Sequence, residues 1–397
     1  MSAIGGIIDL KNFTVDFATF NRMRLSLSLR GRVRSSAFIG GSCCMFFNSS
    51  SIDAFAYDAD AQPRICERRG HSYVLCIDGD GQDTSALMER YMTDGVSFLG
   101  AIDGAFSLSL YDGERDILIL ARDRRGKRPL FYRCVDESTY FSSEPKGILG
   151  SMDGYADINR EALASHLTSA FGVLNASHIY SDISEVAPGE CIIFSRMGNT
   201  RFFYREERGR RHIKEIKREN NGKKTVFIPD NIDADRIPDY LSEALLSFDI
   251  PQFDAYMPSL CELLRAQQDH SNSTVIYEDH IRRKNRTYAY ERDDRIGNLY
   301  GIRAIGVPTD SHQLPSKELY QKLVERFLSL DGSKHLLLRS ILGEDRYTCI
   351  MKGIGQKEQK NEDKENNIRI LGMLCQTVDW VELGHFVIRS DRYQWCY

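Results

Sequence analysis

The chain has 397 residues, of which 42% are hydrophobic and 27% charged, with a formal charge of −4. That length accommodates two domains with separate cores, and the near-balanced charge gives no case for a nucleic-acid or anionic-membrane partner. No apolar run reaches the ~18–20 residues of a spanning helix, and the start of the sequence lacks a basic-then-apolar signal pattern, so the expectation is a cytoplasmic protein with no membrane partner. The ten cysteines are scattered without C-x-x-C spacing, which fits reduced thiols rather than a disulfide framework or a zinc site. The histidines show no metal spacing such as H-x-x-x-H.

Residues 1–204 read as short strands separated by turn signals. Ala3–Leu10 and Gly41–Phe47 are apolar and predict strands, and Tyr73–Ile77 predicts a third, ending at the turn-rich Asp78-Gly79-Asp80-Gly81. Phe106–Tyr111 alternates small polar with apolar residues, as a half-buried strand does, and Asp112-Gly113 turns it into Ile117–Ala121, a hairpin by spacing. Helical periodicity marks Thr84–Thr93 and Arg160–Ala170, the latter with Asn159 placed to cap it. Many strands with a few packed helices predict an α+β layered domain.

Arg205–Lys224 carries nine basic and four acidic side chains and almost no apolar ones. It reads as a charged, solvated linker or long surface loop. Beyond it helices dominate, over Ile237–Phe248, Tyr256–Gln267, Lys317–Leu330 and Lys334–Leu342. Lys352–Asn366 reads as a polar loop and Ile368–Val387 as helix-like. The basic-aromatic run Ile281–Tyr290 is flanked by Glu278, Asp279, Glu291, Asp293 and Asp294, which predicts surface salt links rather than a nucleic-acid site.

Gly104–Tyr132 (GAFSLSLYDGERDILILARDRRGKRPLFY) followed by Tyr140–Leu149 (YFSSEPKGIL) resembles the glutaminase half of the asparagine synthetase family of class II glutamine amidotransferases. The resemblance implies an N-terminal-nucleophile-type αββα sandwich, with helices over two antiparallel sheets. Such hydrolases draw nucleophile and base from one residue, a side chain and its own α-amine. The family has Cys-Gly where this chain has Ser2-Ala3, and serine is the poorer nucleophile at neutral pH. Arg30-Gly31 stands in the family's His-Arg-Gly-Pro-Asp, which implies Arg30 as a clamp for a substrate carboxylate. The nearest match to the family's Asn-Gly-Glu loop is Asp78-Gly79-Asp80, and Asp83-Thr84 matches its Asp-Thr-Glu. Aspartate for asparagine replaces a donor with a negative charge, which opposes a developing oxyanion. The implied substrate-binding set is Arg30, Asp78, Gly79, Asp80 and Asp83, with Ser2 as the catalytic residue only if the site is active. Ala121–Leu130 matches the family's Ala-Arg-Asp-x-x-Gly-x-x-Pro-Leu, an architectural segment in which Arg122 and Asp123 are expected to pair locally. Ser142-Ser143-Glu144 with Lys146 resembles its Ser-Glu-x-Lys.

The family uses ATP and Mg through a Ser-Gly-Gly-x-Asp-Ser loop whose backbone amides cradle pyrophosphate. The sequence contains no such string and no Walker-type alternative. The nearest segments are Gly150-Ser151-Met152-Asp153-Gly154 and Asp331-Gly332-Ser333-Lys334, so no cofactor is predicted. Asp249–Arg339 resembles the synthetase half in patches: Phe253–Leu260, Asp294-Arg295, Gly301-Ile302, Asp310 and Lys334–Arg339. Arg303 and Ile305 stand where the family has Glu and Arg. These matches imply a reduced, mainly helical synthetase-like domain over 225–397, after an amidotransferase-like domain over 1–204 and the linker 205–224. Three readings follow. The first is a catalytically impaired asparagine-synthetase-like binding or scaffold protein, the second an amidase using Ser2, the third an amino-acid-binding regulatory sensor. The expected partners are an amino acid or glutamine-like ligand and a protein partner or second copy.

Overall fold

In a computed structural model the described residues are 2–12, 14–31, 34–49, 62–79, 82–154, 156–168, 179–204, 225–226, 236–248, 251–254, 256–265, 274–279, 296, 303–308, 317–354, 361–383, 386–389 and 394–396. The chain forms two compact units, residues 1–153 with 182–221 and residues 154–181 with 222–397. Residues 154–181 thus group with the second unit, where the sequence boundary at 204 put them in the first.

The first unit begins with β1 (Ala3–Asp9), α1 (Phe17–Ser26), β2 (Arg34–Ile39), β3 (Cys43–Ser49), β4 (Arg64–Arg68) and β5 (His71–Gly79). It continues with α2 (Thr84–Asp94), β6 (Phe106–Asp112), β7 (Ile117–Arg122), β8 (Phe131–Val135), β9 (Ser138–Ser142) and α3 (Pro145–Leu149). After β10 and α4, which belong to the second unit, come β11 (Ser184–Glu185), β12 (Glu190–Ser195) and β13 (Gly198–Phe203). Two six-stranded sheets result, β11-β8-β9-β1-β3-β2 and β13-β12-β7-β6-β5-β4. Every pairing in them is antiparallel.

Strand period two sorts the apolar side chains into three layers. Ile4 and Ile8 point inward with Met45 and Phe47, where they meet Val74, Cys76, Leu118, Leu120 and Ile192 of the other sheet. Ala3 and Ile7, on the opposite face of β1, pack with Cys44 and Phe46 under Phe20, Met23 and Leu27 of α1 and its exit turn. On the far side Leu75, Ile77, Leu108 and Leu110 are covered by Leu87, Met88 and Tyr91 of α2. The unit is an αββα sandwich, with the two antiparallel sheets that the sequence implied.

The second unit holds β10 (Ala156–Ile158), α4 (Arg160–Thr168), β14 (Thr225–Val226), α5 (Ile237–Ser247), α6 (Met257–Arg265), β15 (Thr274–Asp279) and β16 (Arg303–Pro308). Then come α7 (Lys317–Leu328), α8 (Gly332–Leu342), α9 (Glu344–Ile354), α10 (Asn361–Leu383), β17 (Phe386–Arg389) and β18 (Gln394–Cys396). Helices dominate its described residues, and Asn159 caps α4 by accepting the Ala162 amide at 3.0 Å. It also contains a parallel sheet, β14-β15-β16, and a second sheet, β10-β17-β18, neither of which hydrophobic periodicity revealed. Two expectations need correction. Asn361–Asn366, expected in a loop, is the first part of α10, and Phe386-Val387, expected in a helix, lies in β17. The sequence readings at 205–224, 281–290, 294–295, 301–302 and 310 fall outside the described residues. Among the described residues no helix is long and apolar enough to cross a membrane.

Candidate functional site

The residues that the sequence singled out converge where β1 begins. Helix α1 stops at Ser26, and the next turn is closed by hydrogen bonds from Ser28 N to Leu25 O and from Arg30 N to Leu27 O, each 3.0 Å. Gly31 follows with φ +100°, and a Cβ on it would stand 2.5 Å from the Asn48 carbonyl oxygen. Only glycine fits such a backbone and such an approach, so Gly31 is what lets the chain double back and carry Arg30 inside. The Arg30 side chain is 2% exposed.

Its guanidinium donates in three directions. Nε reaches the Ser2 carbonyl at 2.8 Å, Nη1 reaches Glu144 Oε1 at 2.9 Å and Nη2 reaches Asp78 Oδ2 at 2.8 Å. Asp78 comes from the end of β5 and Glu144 from the junction of β9 with α3, so one side chain fastens both sheets and the start of β1. Each carboxylate has a further cation: Lys146 Nζ lies 2.6 Å from Glu144 Oε2, and Arg128 Nη1 lies 3.9 Å from Asp78 Oδ1. Burial pushes the Asp78 carboxyl up, but the Arg128 and Arg30 guanidiniums outweigh it and hold the group below the ordinary carboxylate range. Asp78 is therefore a buried carboxylate whose charge is matched inside the protein, and the repulsion expected of it at an oxyanion position is offset by those cations. Beside it on the sheet Ser107 is its direct cross-strand partner, fully buried, with a hydroxyl that has no hydrogen-bond partner.

The Ala121–Leu130 segment holds Arg128 in place. Arg122 and Asp123 were expected to pair with each other and do not. Arg122 instead bonds Glu185 Oε1 at 2.5 Å, Val186 O at 2.9 Å and Gly126 O at 2.7 Å. The Asp123 carboxylate accepts the amides of Arg125 at 2.9 Å and Arg128 at 3.0 Å, wrapping the turn that presents Arg128 to Asp78. Gly126 sits at φ +62°, and a Cβ there would come within 2.7 Å of Pro188.

Ser2, Arg30 and Asp78 are thus brought together, Ser2 through its carbonyl. Gly79 extends β5 opposite Phe106. Asp83 is not part of the cluster: its Oδ1 accepts the Ser85 and Ala86 amides, each at 3.0 Å, as the N-cap of α2. Asp80 lies outside the described residues. Arg128, Glu144 and Lys146 stand in the sequence only as parts of matching segments, with no site role implied for them. The available signal was an ionisable side chain beside apolar or small neighbours, in Arg128-Pro129-Leu130 and Ser142-Ser143-Glu144.

Neither segment considered for a phosphate cradle fits one. At Asp331–Lys334 the Asp331 carboxylate takes the amides of Ser333 at 2.9 Å and Lys334 at 3.0 Å, placing a negative charge where phosphate oxygens would bind. At Gly150–Met152 the amides turn back onto α3, to the carbonyls of Lys146, Ile148 and Leu149. Among the described residues no group of three or more His, Cys, Asp or Glu side chains is placed to hold a metal ion.

Residues 78–205 match the family model of the glutamine amidotransferase domain. The glutamine-hydrolysing asparagine synthetase 3 of Bacillus subtilis (strain 168) is 24% identical over 322 residues, covering 74% of this chain and 49% of that protein. Glutamine-hydrolysing asparagine synthetase B of Escherichia coli (strain K12) is 26% identical over 170 residues, 38% of this chain and 30% of that one. The chain thus spans about half the length of the first of these relatives and less of the second. Among solved structures, the glutamine phosphoribosylpyrophosphate amidotransferase of B. subtilis, complexed with ADP and GMP, aligns over 81% of this chain and 70% of its own, at 13% identity and a TM-score of 0.38. By these matches the chain carries a glutamine amidotransferase domain match over residues 78–205 and is similar to the glutamine-hydrolysing asparagine synthetases.

Proposed function

We propose that this is a divergent asparagine-synthetase-like protein whose amidotransferase domain no longer hydrolyses glutamine, and which acts in the cytoplasm as a binding or scaffold component. The family chemistry, glutamine-dependent and ATP-driven amide formation, is then ancestral rather than current. The observation that carries this reading is the engagement of Arg30. The side chain matched to the family's carboxylate clamp is buried and bonded on both Nη atoms to carboxylates of the protein itself. Serine at the position of the family's cysteine supports the same reading. So do the two loop segments whose amides are already occupied, which is why the proposal includes no ATP. Its partner on this reading is another protein chain, whereas an amino acid or glutamine-like ligand belongs to the sensor alternative.

The test is ammonia release from glutamine by the purified protein, alongside Ser2→Ala. Both should stay at background. A glutamine-saturable rate that Ser2→Ala abolishes would overturn the proposal and establish the serine amidase instead. Saturable glutamine binding without turnover would identify the amino-acid sensor.

A further inference from the structure

We propose that a cavity between α8 and α9 binds a small organic anion, the phosphate monoester of a single-ring compound. The site lies in the second unit and does not depend on what the amidotransferase domain does with glutamine. Helix α8 ends at Leu342, Gly343 turns the chain at φ +82°, and α9 begins at Glu344. A cavity of about 360 Å³ opens between the last turn of α8 and one face of α9, lined by Arg339, Tyr347, Thr348, Met351 and Lys352. Spacings of three and four residues put the last four on a single helix face. The volume is at the small end of the range for small-molecule sites, which suits one ring with an anionic group.

Two of the five lining side chains are cations and none is acidic. Lys352 is exposed and forms no ion pair among the described residues. Arg339 meets Glu344 at 3.4 Å, but those side chains are 47% and 65% exposed, so the contact is weak and exchanges readily for a ligand oxygen. The Thr348 hydroxyl adds a donor. Met351 supplies an apolar, polarisable surface of the kind that packs against aromatic rings. Tyr347 is buried and fixed before any ligand arrives: its Oη is hydrogen-bonded to His335 Nδ1 at 2.6 Å, and the Arg339 guanidinium lies 4.9 Å over its ring centroid. His335 in turn stands edge-on to Phe327 of α7 at 5.2 Å. Two cations and a hydroxyl beside a preorganised apolar wall match a doubly charged phosphate carried on a ring better than a bare inorganic anion. The cavity is at the opposite end of α8 from the Asp331–Lys334 turn, where a carboxylate already takes the amides.

The experiment is calorimetry on the full chain with phenyl phosphate as the probe. Inorganic phosphate supplies the anion without the ring, and benzyl alcohol the ring without the charge. Phenyl phosphate should bind saturably and at least about tenfold tighter than either fragment, since it alone uses both halves of the lining. Lys352→Glu should weaken it at least about tenfold, the loss expected when hydrogen bonds to a charged group are removed, with no change in melting temperature because the side chain is exposed. Arg339→Met should weaken it likewise. Glu344→Gln should strengthen it, by up to about fivefold, because it frees the guanidinium from an exposed pair. Hydrogen exchange should show protection gained by the ligand on peptides of α8 and α9. If Arg339→Met does not fold, Lys352→Glu and Glu344→Gln decide the matter. Absence of saturable heat would overturn the proposal, as would equal binding by Lys352→Glu and wild type. Inorganic phosphate binding as tightly as phenyl phosphate would show a merely cationic surface and overturn it too. So would protection confined to peptides outside α8 and α9.

Discussion

Arg30→Met tests whether the buried cluster holds the sandwich together. Methionine keeps most of the aliphatic reach and deletes the guanidinium, which leaves Asp78 and Glu144 in a site where Arg30 was 2% exposed. Removing one partner of a buried ion pair costs about 3–5 kcal/mol, because the remaining charge stays desolvated. The two pairs do not add, since Asp78 keeps Arg128 at 3.9 Å and Glu144 keeps Lys146 at 2.6 Å. The Ser2 carbonyl loses its donor as well, worth about 1 kcal/mol. A total of about 4–6 kcal/mol is a large part of the stability of any domain. Hydrogen exchange read on peptides of β1 and β5 isolates the effect, because both tryptophans, Trp380 and Trp395, lie in the second unit, where fluorescence would miss it. The pH dependence carries a sign. The Asp78 carboxyl of the wild type is held below its ordinary value of 3.8, so its contribution is full above about pH 4 and is lost as pH falls through the lowered folded value. In Arg30→Met one of the cations that lower it is gone and the folded value rises, so the deficit measured at pH 7 should narrow as pH falls. A deficit under about 1 kcal/mol at pH 7 would refute the argument, because it would place the pair in the range of surface salt bridges.

Gly31→Ala should destabilise the same peptides by at least about 2 kcal/mol, since it combines a strained φ of +100° with a Cβ placed 2.5 Å from the Asn48 carbonyl; protection equal to wild type would show that the turn can relax. Thiol alkylation under native conditions should label the exposed Cys349 and Cys134 first, and Cys43, Cys76 and Cys191 last. Burial raises the last three thiols, Cys191 to about 12, so little reactive thiolate forms there. Early labelling of Cys76, read by peptide mass spectrometry, would contradict the closed layer between the sheets.

The strands that were legible in the sequence are those with two buried faces. Ile4-Gly5-Gly6-Ile7-Ile8 and Ile117–Ala121 are apolar because one side meets the other sheet and the opposite side meets a helix or the outer core. The missed ones are mostly edges. Gly198–Phe203 is exposed along nearly its whole length, and Arg34–Ile39 is at most half-buried, so neither needs an apolar alternation for periodicity to detect. Helix α10 shows the opposite failure. Its first turns, Asn361–Asn367, have no apolar face, and the helix is held by its buried continuation from Ile368 to Val381.

The site was legible in its members and not in its wiring. The resemblance to family motifs marks Arg30 and Asp78, but whether a guanidinium waits for a ligand or is already engaged depends on side chains 48 and 114 positions away. Arg122 makes the same point at shorter range, since its adjacent aspartate is occupied by turn amides and its partner is Glu185. Local sequence favours pairing neighbours, while burial of an ion forces it toward whichever opposite charge the topology delivers to the same layer. In this sandwich the ends of β5 and β9 deliver Asp78 and Glu144 to Arg30.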